Sequence, residues 1–471
     1  MSASVTGPGA ETSQISADTT VVRALRKLRT PQTQRNRELW LLLLAFAISG
    51  GAIALVQLGA LGAVDWSILI YAGVLAALVL ALHIVLRFTA PNADPIVVPI
   101  ATVLTGLGIA MIYRIDLAAP LGGWDAYSTR QMVWTAIAVA CAVAVVLMLR
   151  NYRVLFRYTY IFGLVGLVLL ILPVVPGLAA EGTGAAVWVS IGGFFSFQPA
   201  ELAKICLAIF FAGYLVRTRE SLTSTGHRFL GMTWPRAREI GPLLVIWLIS
   251  LGIIVLQRDL GTGVLVFGMF VAMLYTATGR TSWALMGIAL AAIGVVIASQ
   301  VMTYVGSRVS AWWNAFDPEV IERPAGSYQL VQGIFGLAQG GLIGTGLGQG
   351  RPYLTPLSQS DYILPSLGEE LGLFGVFAIL CLYMVFVSRG IRIGLAGQDD
   401  FGKLLATGFA FTIGLQVFIM VGGVTRLIPL TGLTTPFLAA GGSSLVANWI
   451  IVALLLRLSD AVRSRPRVVI G

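Results

Sequence analysis

Twelve runs of nearly uninterrupted apolar residues divide this chain, at 39–61, 66–88, 95–113, 131–149, 154–173, 199–216, 240–256, 262–278, 283–303, 366–388, 402–424 and 436–457. A helix needs roughly 20 apolar residues to cross a bilayer, and each run meets or approaches that length. No period-two alternation worth reading as a strand occurs between or within them, and no unit of fixed length repeats. The expected fold class is all-α, a polytopic integral membrane protein of about 12 transmembrane helices.

Most connections are short, and three are not. Residues 174–198 carry no Lys or Arg but include Trp188 and the aromatic run Phe194-Phe195-Ser196-Phe197. Residues 217–239 are basic and suit anionic headgroups. Residues 304–365 form the longest connection, on the extracytoplasmic side. Its Trp312, Trp313, Phe316, Tyr328, Phe335 and Tyr353 argue for an ordered loop anchored at the interface. The apolar stretch around 328–343 predicts a short amphipathic or re-entrant helix. Residues 1–38 read as a disordered basic cytoplasmic tail and 459–471 as a short cytoplasmic one.

Composition agrees with the pattern: 57% of residues are hydrophobic, 11% charged, and the mean hydropathy is +0.88. The net charge of +10 would admit a nucleic-acid partner, but its distribution does not. With the N-terminus inside, 23 of the 31 Lys and Arg fall in cytoplasmic segments, seven fall outside, and Lys204 lies within a span. That asymmetry reports topology, with both termini cytoplasmic and no nucleic acid implied. Cys141, Cys206 and Cys381 all lie in spans and read as packing residues. His83 and His227 fall near the cytoplasmic side, which excludes histidine chemistry at the outer face.

Four features that could carry chemistry share the outer side. Asp259 stands between two apolar runs, where an ionisable group is costly and therefore a functional candidate; it is equally a plausible helix cap. In Gln198-Pro199-Ala200-Glu201-Leu202-Ala203-Lys204, Glu201 and Lys204 are spaced to pair within a span. Gly344-x-Gly346-x-Gly348-x-Gly350 precedes Arg351, with Ser360-Asp361-Tyr362 and Glu369-Glu370 beyond. Glycine amides and Arg can hold an anion, although this is not a Walker loop. Finally, Gly422 to Phe437, with Gly441-Gly442-Ser443-Ser444, suggests a broken helix lining a cavity.

Together, Phe197-Gln198-Pro199-Ala200-Glu201-Leu202-Ala203-Lys204, Gln257-Arg258-Asp259-Leu260-Gly261-Thr262 and Gly432-Leu433-Thr434-Thr435-Pro436-Phe437 resemble the RodA/FtsW family, whose functions are shape, elongation, division and sporulation (SEDS). Arg308 to Asp317-Pro318 and Ser327-Tyr328-Gln329-Leu330 look like its outer loop. The resemblance implies a bacterial plasma-membrane peptidoglycan glycosyltransferase core at 95–458, with 39–94 as an accessory two-helix addition. Such an addition resembles the RodA-type proteins of actinobacteria more than division-type members. Asp259 takes the place of the family's essential Asp, and Glu201/Lys204 that of its ion pair. One motif departs: the family's Leu-Pro-Glu-x-x-Thr-Asp-Phe reads Thr355-Pro356-Leu357-Ser358-Gln359-Ser360-Asp361-Tyr362 here, without the Glu.

The implied chemistry polymerises lipid II into β-1,4 glycan strands for cell elongation, on the extracytoplasmic side, with undecaprenyl pyrophosphate leaving. Asp259 would be the base. Arg258, Arg308, Arg351 and Arg426 would compensate pyrophosphate charge, with Gln329, Ser443 and Ser444 as further substrate contacts. A metal, where bound, would be a hard Mg²⁺ or Mn²⁺; no organic cofactor is expected. The implied partners are lipid II, the nascent strand, membrane lipids and a class B penicillin-binding protein that supplies the transpeptidase. The alternatives are a division-specific polymerase and a lipid II flippase.

Overall fold

The computed structural model describes residues 34–66, 69–119, 123–177, 187–191, 195–222, 241–324 and 326–464, with short strands at 28–29, 227–229, 232–234 and 467–468. Among them, ten helices are long and apolar enough to cross a membrane, and two shorter apolar ones, Thr159–Val174 and Leu244–Gln257, accompany them. The helices are α1 Arg35–Leu61, α2 Leu69–Thr89, α3 Val97–Asp116, α4 Tyr127–Met148, α5 Thr159–Ile171 and α6 Pro199–Leu222. There follow α7 Gly241–Gln257, α8 Leu260–Thr278, α9 Thr281–Val301, α10 Thr303–Trp313 and α11 Tyr328–Gly340. The last three are α12 Ile363–Ala396, α13 Asp400–Val424 and α14 Gly442–Arg463. Connectivity alternates their direction, so the α7–α8 turn, α10, α11 and the start of α6 share one end of the bundle.

Two of the boundaries that differ from the sequence expectation stand at charged residues. Helix α1 begins at Arg35 and α14 runs to Arg463, because the charges there are paired inside the protein. Glu38, fully buried, takes Arg35 Nη1 at 2.6 Å and His83 Nδ1 at 2.7 Å. Asp94 receives both Arg389 and Arg463, while Asp460 accepts the Asn92 amide at 2.9 Å. A buried charge is tolerated when its hydrogen bonds are met. Short strand pairs also occur, 189–191 with 195–197 and 227–229 with 232–234; three residues are too few for a periodic signal. Apart from Leu28–Arg29, the expected N-terminal tail before Gln34 lies outside the described residues.

Helix α3 sits at the centre and is buried along most of its length, with α1, α4, α12 and α14 around it. Close approach is by small residues: a Cβ on Gly106 would lie 2.0 Å from Ser49 Oγ, and one on Gly108 would lie 2.3 Å from Leu438 O. Van der Waals packing of this kind holds helices together where lipid supplies no hydrophobic drive. α1 and α2 lie against α3 and α4, tied by Gln57 Nε2 donating to Tyr113 Oη (3.2 Å) and by Tyr71 to Thr129 (3.1 Å).

The long outer connection is ordered. It folds into α10, a short turn Pro318–Glu322, and α11, which covers the part of the apolar stretch expected to be helical.

Candidate active site

The α7–α8 reversal takes two residues, and Arg258 makes it possible by adopting a left-handed backbone (φ 56°). Asp259 follows in extended conformation and caps α8. Thr262 donates its backbone N–H to Oδ1 (3.0 Å) and its hydroxyl to Oδ2 (2.6 Å). Burial pushes the carboxyl above its usual range, against the opposing pull of the Thr262 bonds and of Arg308. Thus the capping reading and the functional reading of Asp259 coexist.

Over this helix start runs the irregular segment 425–441. Gly261 admits it: a Cβ there would meet Leu433 Cγ at 2.5 Å and Thr431 O at 3.2 Å. The same segment seats Arg308 of α10, which donates from Nη1 to Leu430 O (2.8 Å) and lies over the Tyr304 ring at 4.5 Å. Gly432 (φ 78°) leaves the neighbouring space open. A Cβ there would stand 3.5 Å from Arg308 Nη2 and 3.9 Å from Asp361 Oδ2.

Arg308 thus stands among two carboxylates, and its positive charge acts on both Asp259 and Asp361. Half-buried Asp361 is pushed up to about 6, chiefly by desolvation; Arg308 opposes the rise and Asp259 adds to it. A cavity of about 350 Å³ opens at Arg308, with Tyr304, Arg308, Tyr328, Gln329, Tyr362 and Leu430 on its walls; the two carboxylates stand behind that lining. Among the described residues, none of α1 or α2 lines it.

Behind segment 425–441 lies a polar knot. Lys204 Nζ is 2.5 Å from Glu201 Oε2 and donates to Gln416 Oε1 (3.1 Å) and Asn448 Oδ1 (3.2 Å). Gln416 passes the link on, donating to Thr434 O (2.8 Å), and the Thr434 hydroxyl donates to Ser444 Oγ (2.9 Å). Ser443 Oγ accepts the Gln198 amide at 3.0 Å. Buried polar groups that are mutually satisfied rigidify what they join. Here they join α6, α13 and α14 to the segment that seats Arg308.

The remaining candidates are dispersed. Gln329 shares the Arg308 cavity, whereas Arg258 is exposed. Arg426 is engaged elsewhere, donating to Trp312 O (2.9 Å) and Trp313 O (2.7 Å) and lying over the Phe316 ring. It clamps α10 to segment 425–441. Arg351 lines a second cavity. The glycine loop spends several amides on the protein itself: Thr345 and Gly346 donate to the Glu369 and Glu370 carbonyls, and Gly348 to the Glu370 carboxylate. Ser443 and Ser444 are buried in the knot.

Sequence names none of Tyr304, Gln416 and Asn448, and places Asp361 in a candidate stretch without giving it a role. For Asp361 a signal existed, since Ser360-Asp361-Tyr362 keeps the hydroxyl–Asp–aromatic order of the Thr-Asp-Phe motif although the Glu is missing.

The family model of the cell cycle proteins FtsW, RodA and SpoVE matches residues 95–464. The chain belongs to that family. It is 44% identical over 443 residues to the peptidoglycan glycosyltransferase RodA of Mycobacterium tuberculosis, which covers 92% of this chain and 93% of the relative. It is 32% identical over 379 residues to the probable peptidoglycan glycosyltransferase FtsW of Geobacter metallireducens, at 79% and 96% coverage. Among solved structures, a chain of a peptidoglycan synthase complex that coordinates polymerization and crosslinking superposes with TM-score 0.61 at 23% identity, covering 79% of this chain and 98% of that one. The rod shape determining protein RodA of Thermus thermophilus does so with TM-score 0.54, 23% identity, and 78% and 96% coverage. At these identities the structural likeness carries the fold alone.

Proposed function

We propose that this FtsW/RodA-family protein is a peptidoglycan glycosyltransferase that polymerises lipid II, and that Asp361 is its base. The observation that carries the reading is the convergence of Asp259 and Asp361 on Arg308, which lines a cavity, in a chain so similar to glycosyltransferases of that name. The acceptor's GlcNAc 4-hydroxyl loses its proton to a carboxylate as its oxygen bonds to the donor's anomeric carbon. The bond from that carbon to undecaprenyl pyrophosphate breaks, and the pyrophosphate leaves with the electron pair, giving an inverted β-1,4 linkage.

The sequence put the base on Asp259. Two points support Asp361 instead: both oxygens of Asp259 are held by Thr262, and burial pushes Asp361 up to about 6, close to where a general base is most effective. In this reading Asp259 holds the field around Arg308, and Arg308 meets the charge on the departing pyrophosphate. Were Mg²⁺ or Mn²⁺ to bind, Asp259 would offer a hard carboxylate oxygen to hold it, and the ion would neutralise leaving-group charge. Among the described residues no three His, Cys, Asp or Glu side chains gather as a ready-made site.

The basic clusters at the opposite ends of the helices support an extracytoplasmic site and cytoplasmic termini. Higher identity to the mycobacterial RodA than to the Geobacter FtsW supports an elongation role over a division one. The proposed partner is a class B penicillin-binding protein, as membership of the FtsW/RodA family implies. The test is polymerisation of lipid II by the purified full chain with its transpeptidase partner. Product from the wild type and a loss of about 10²-fold or more in Asp361→Asn, the low end for losing a general base, are expected. A wild type that only transports lipid II would overturn the reading.

A further inference from the structure

A second polar cavity, of about 520 Å³, opens on the far part of α11. Gln332, Phe335, Gly336 and Gln339 line it from the helix, and Gln349 and Arg351 from the glycine loop. Helix α11 separates it from the Arg308 cavity: Tyr328, Gln329 and Leu330 face the first and residues 332–339 the second. At a rise of 1.5 Å per residue, the second cavity runs from about 4.5 to about 15 Å beyond Gln329 along the helix.

At its base stands Glu369, only 6% exposed. Its Oε1 accepts the Arg351 amide at 2.6 Å, but Oε2 has no hydrogen-bond partner among the described residues. Gly336 keeps the approach to that atom open, since a Cβ there would lie 3.4 Å from Oε2. That oxygen is open to the cavity, where water or a ligand can donate to it. Around it, the side-chain amides of Gln332, Gln339 and Gln349 and the guanidinium of Arg351 make no hydrogen bond to any described residue, and Phe335 is 54% exposed.

We propose that this cavity is a saccharide subsite that holds the N-acetylhexosamine strand as it leaves the reaction cavity. The chemistry fits that class. Glutamine amides both give and accept hydrogen bonds, as ring hydroxyls and acetamido groups do. The open Glu369 oxygen can accept from an O–H or N–H donor, and an exposed aromatic ring can cover a sugar face. One Arg opposite one Glu leaves the pocket without net charge, which suits an uncharged sugar backbone over an anionic peptide stem. The assignment rests on the polymerase reading, which supplies the strand; its position one helix away from Arg308 supplies the path.

The test uses the full-length protein in detergent and a synthetic tetrasaccharide of alternating GlcNAc and MurNAc that lacks lipid and peptide. Saturation-transfer NMR should detect binding to wild type. Glu369→Gln should weaken it about 10-fold, as expected for losing a hydrogen bond to a charged group. Because Glu369 is buried, Gln339→Ala with Gln349→Ala, both exposed, provides a second variant whose folding is not in question. These variants should also shorten the strands made from lipid II. Asp361→Asn should lose polymerisation yet keep tetrasaccharide binding, so that failure of the polymerase reading and failure of this one are told apart. Tetrasaccharide binding and strand length that are unchanged in both pocket variants would overturn the subsite. So would binding of free stem pentapeptide in place of the sugar.

Discussion

Thr262 holds both oxygens of Asp259, its amide on Oδ1 at 3.0 Å and its hydroxyl on Oδ2 at 2.6 Å. A carboxylate fixed this way orients a helix and a neighbouring guanidinium better than it takes up a proton. Asn caps a helix nearly as well as Asp, so Asp259→Asn should fold with little change in thermal stability. Asp259→Ala should lose about 1 kcal/mol, a typical cost for a lost cap. Thermal unfolding in detergent measures both, and a large destabilisation in Asp259→Asn would contradict the capping account.

The pH dependence separates the two carboxylates. With Asp361 at about 6, the coupling rate should fall below pH 6 as the base protonates, approaching about 10-fold per pH unit, and level off above. The Asp259 charge raises the Asp361 value, so Asp259→Asn should move the acid limb to lower pH rather than remove it. For stability the sign is reversed. A carboxyl whose value is raised on folding favours the native state below the unfolded value near 4, and that contribution is lost as pH rises through about 6. Asp361→Asn should therefore gain stability relative to wild type at pH 7.5. An acid limb that vanishes in Asp259→Asn would return the base to Asp259.

The spans were legible because each is a long apolar run, and so was the Glu201–Lys204 pair, because a spacing of three places both side chains on one helix face. Asp361 was harder to read. Its role depends on α10, α12 and segment 425–441 meeting, and nothing local to Ser360-Asp361-Tyr362 announces Arg308 or Gly432. Arg426 erred the other way: an outward Arg near glycines and prolines reads as a phosphate ligand, yet the folded chain turns it onto the carbonyls of Trp312 and Trp313. The starts and ends of helices were misplaced wherever a charge was buried with a partner distant in sequence, as at Arg35 with Ala93 O and Arg463 with Asp94.

The polar knot makes a stability prediction. Lys204→Met strands the buried Glu201 carboxylate, and Glu201→Gln removes the neutralising partner of Lys204. Breaking a buried pair commonly costs about 3–5 kcal/mol, while replacing both members is far milder. The double variant Glu201→Gln/Lys204→Met should accordingly unfold at a higher temperature than Lys204→Met alone. Additive losses in the two singles and the double would show that the charges do not depend on each other.

Arg426 should matter to catalysis at one remove. Its guanidinium ties α10, the helix that carries Arg308, to the segment whose Leu430 carbonyl seats that same Arg308. Lys cannot reproduce two separate donor directions together with stacking on Phe316. Arg426→Lys should therefore lower kcat while leaving the acid limb near pH 6 in place, because the base itself is untouched. A displaced acid limb would mean that Arg426 acts on the carboxylates directly.

The N-terminal helices meet the core at Gly348, whose φ of 87° suits glycine and whose absent Cβ would lie 2.4 Å from Val56 O. Opposite it, a Cβ on Gly59 would fall 2.1 Å from Leu347 O, so α1 and the glycine loop touch backbone to backbone. The loop in turn holds Glu370 through the Gly348 amide, and Glu370 pairs with Arg114 of α3 at 3.0 Å. The described residues of 35–89 line neither polar cavity, and this contact is their direct route to the glycine loop that lines the second one. Gly59→Val should push α1 off the loop, because the atom it meets is backbone and cannot rotate away. The expected result is a lowered unfolding temperature and shorter strands from a loosened second cavity, with the acid limb near pH 6 unmoved because Asp259, Arg308 and Asp361 lie elsewhere. A Gly59→Val protein with wild-type stability would show that the helix and loop do not bear on each other.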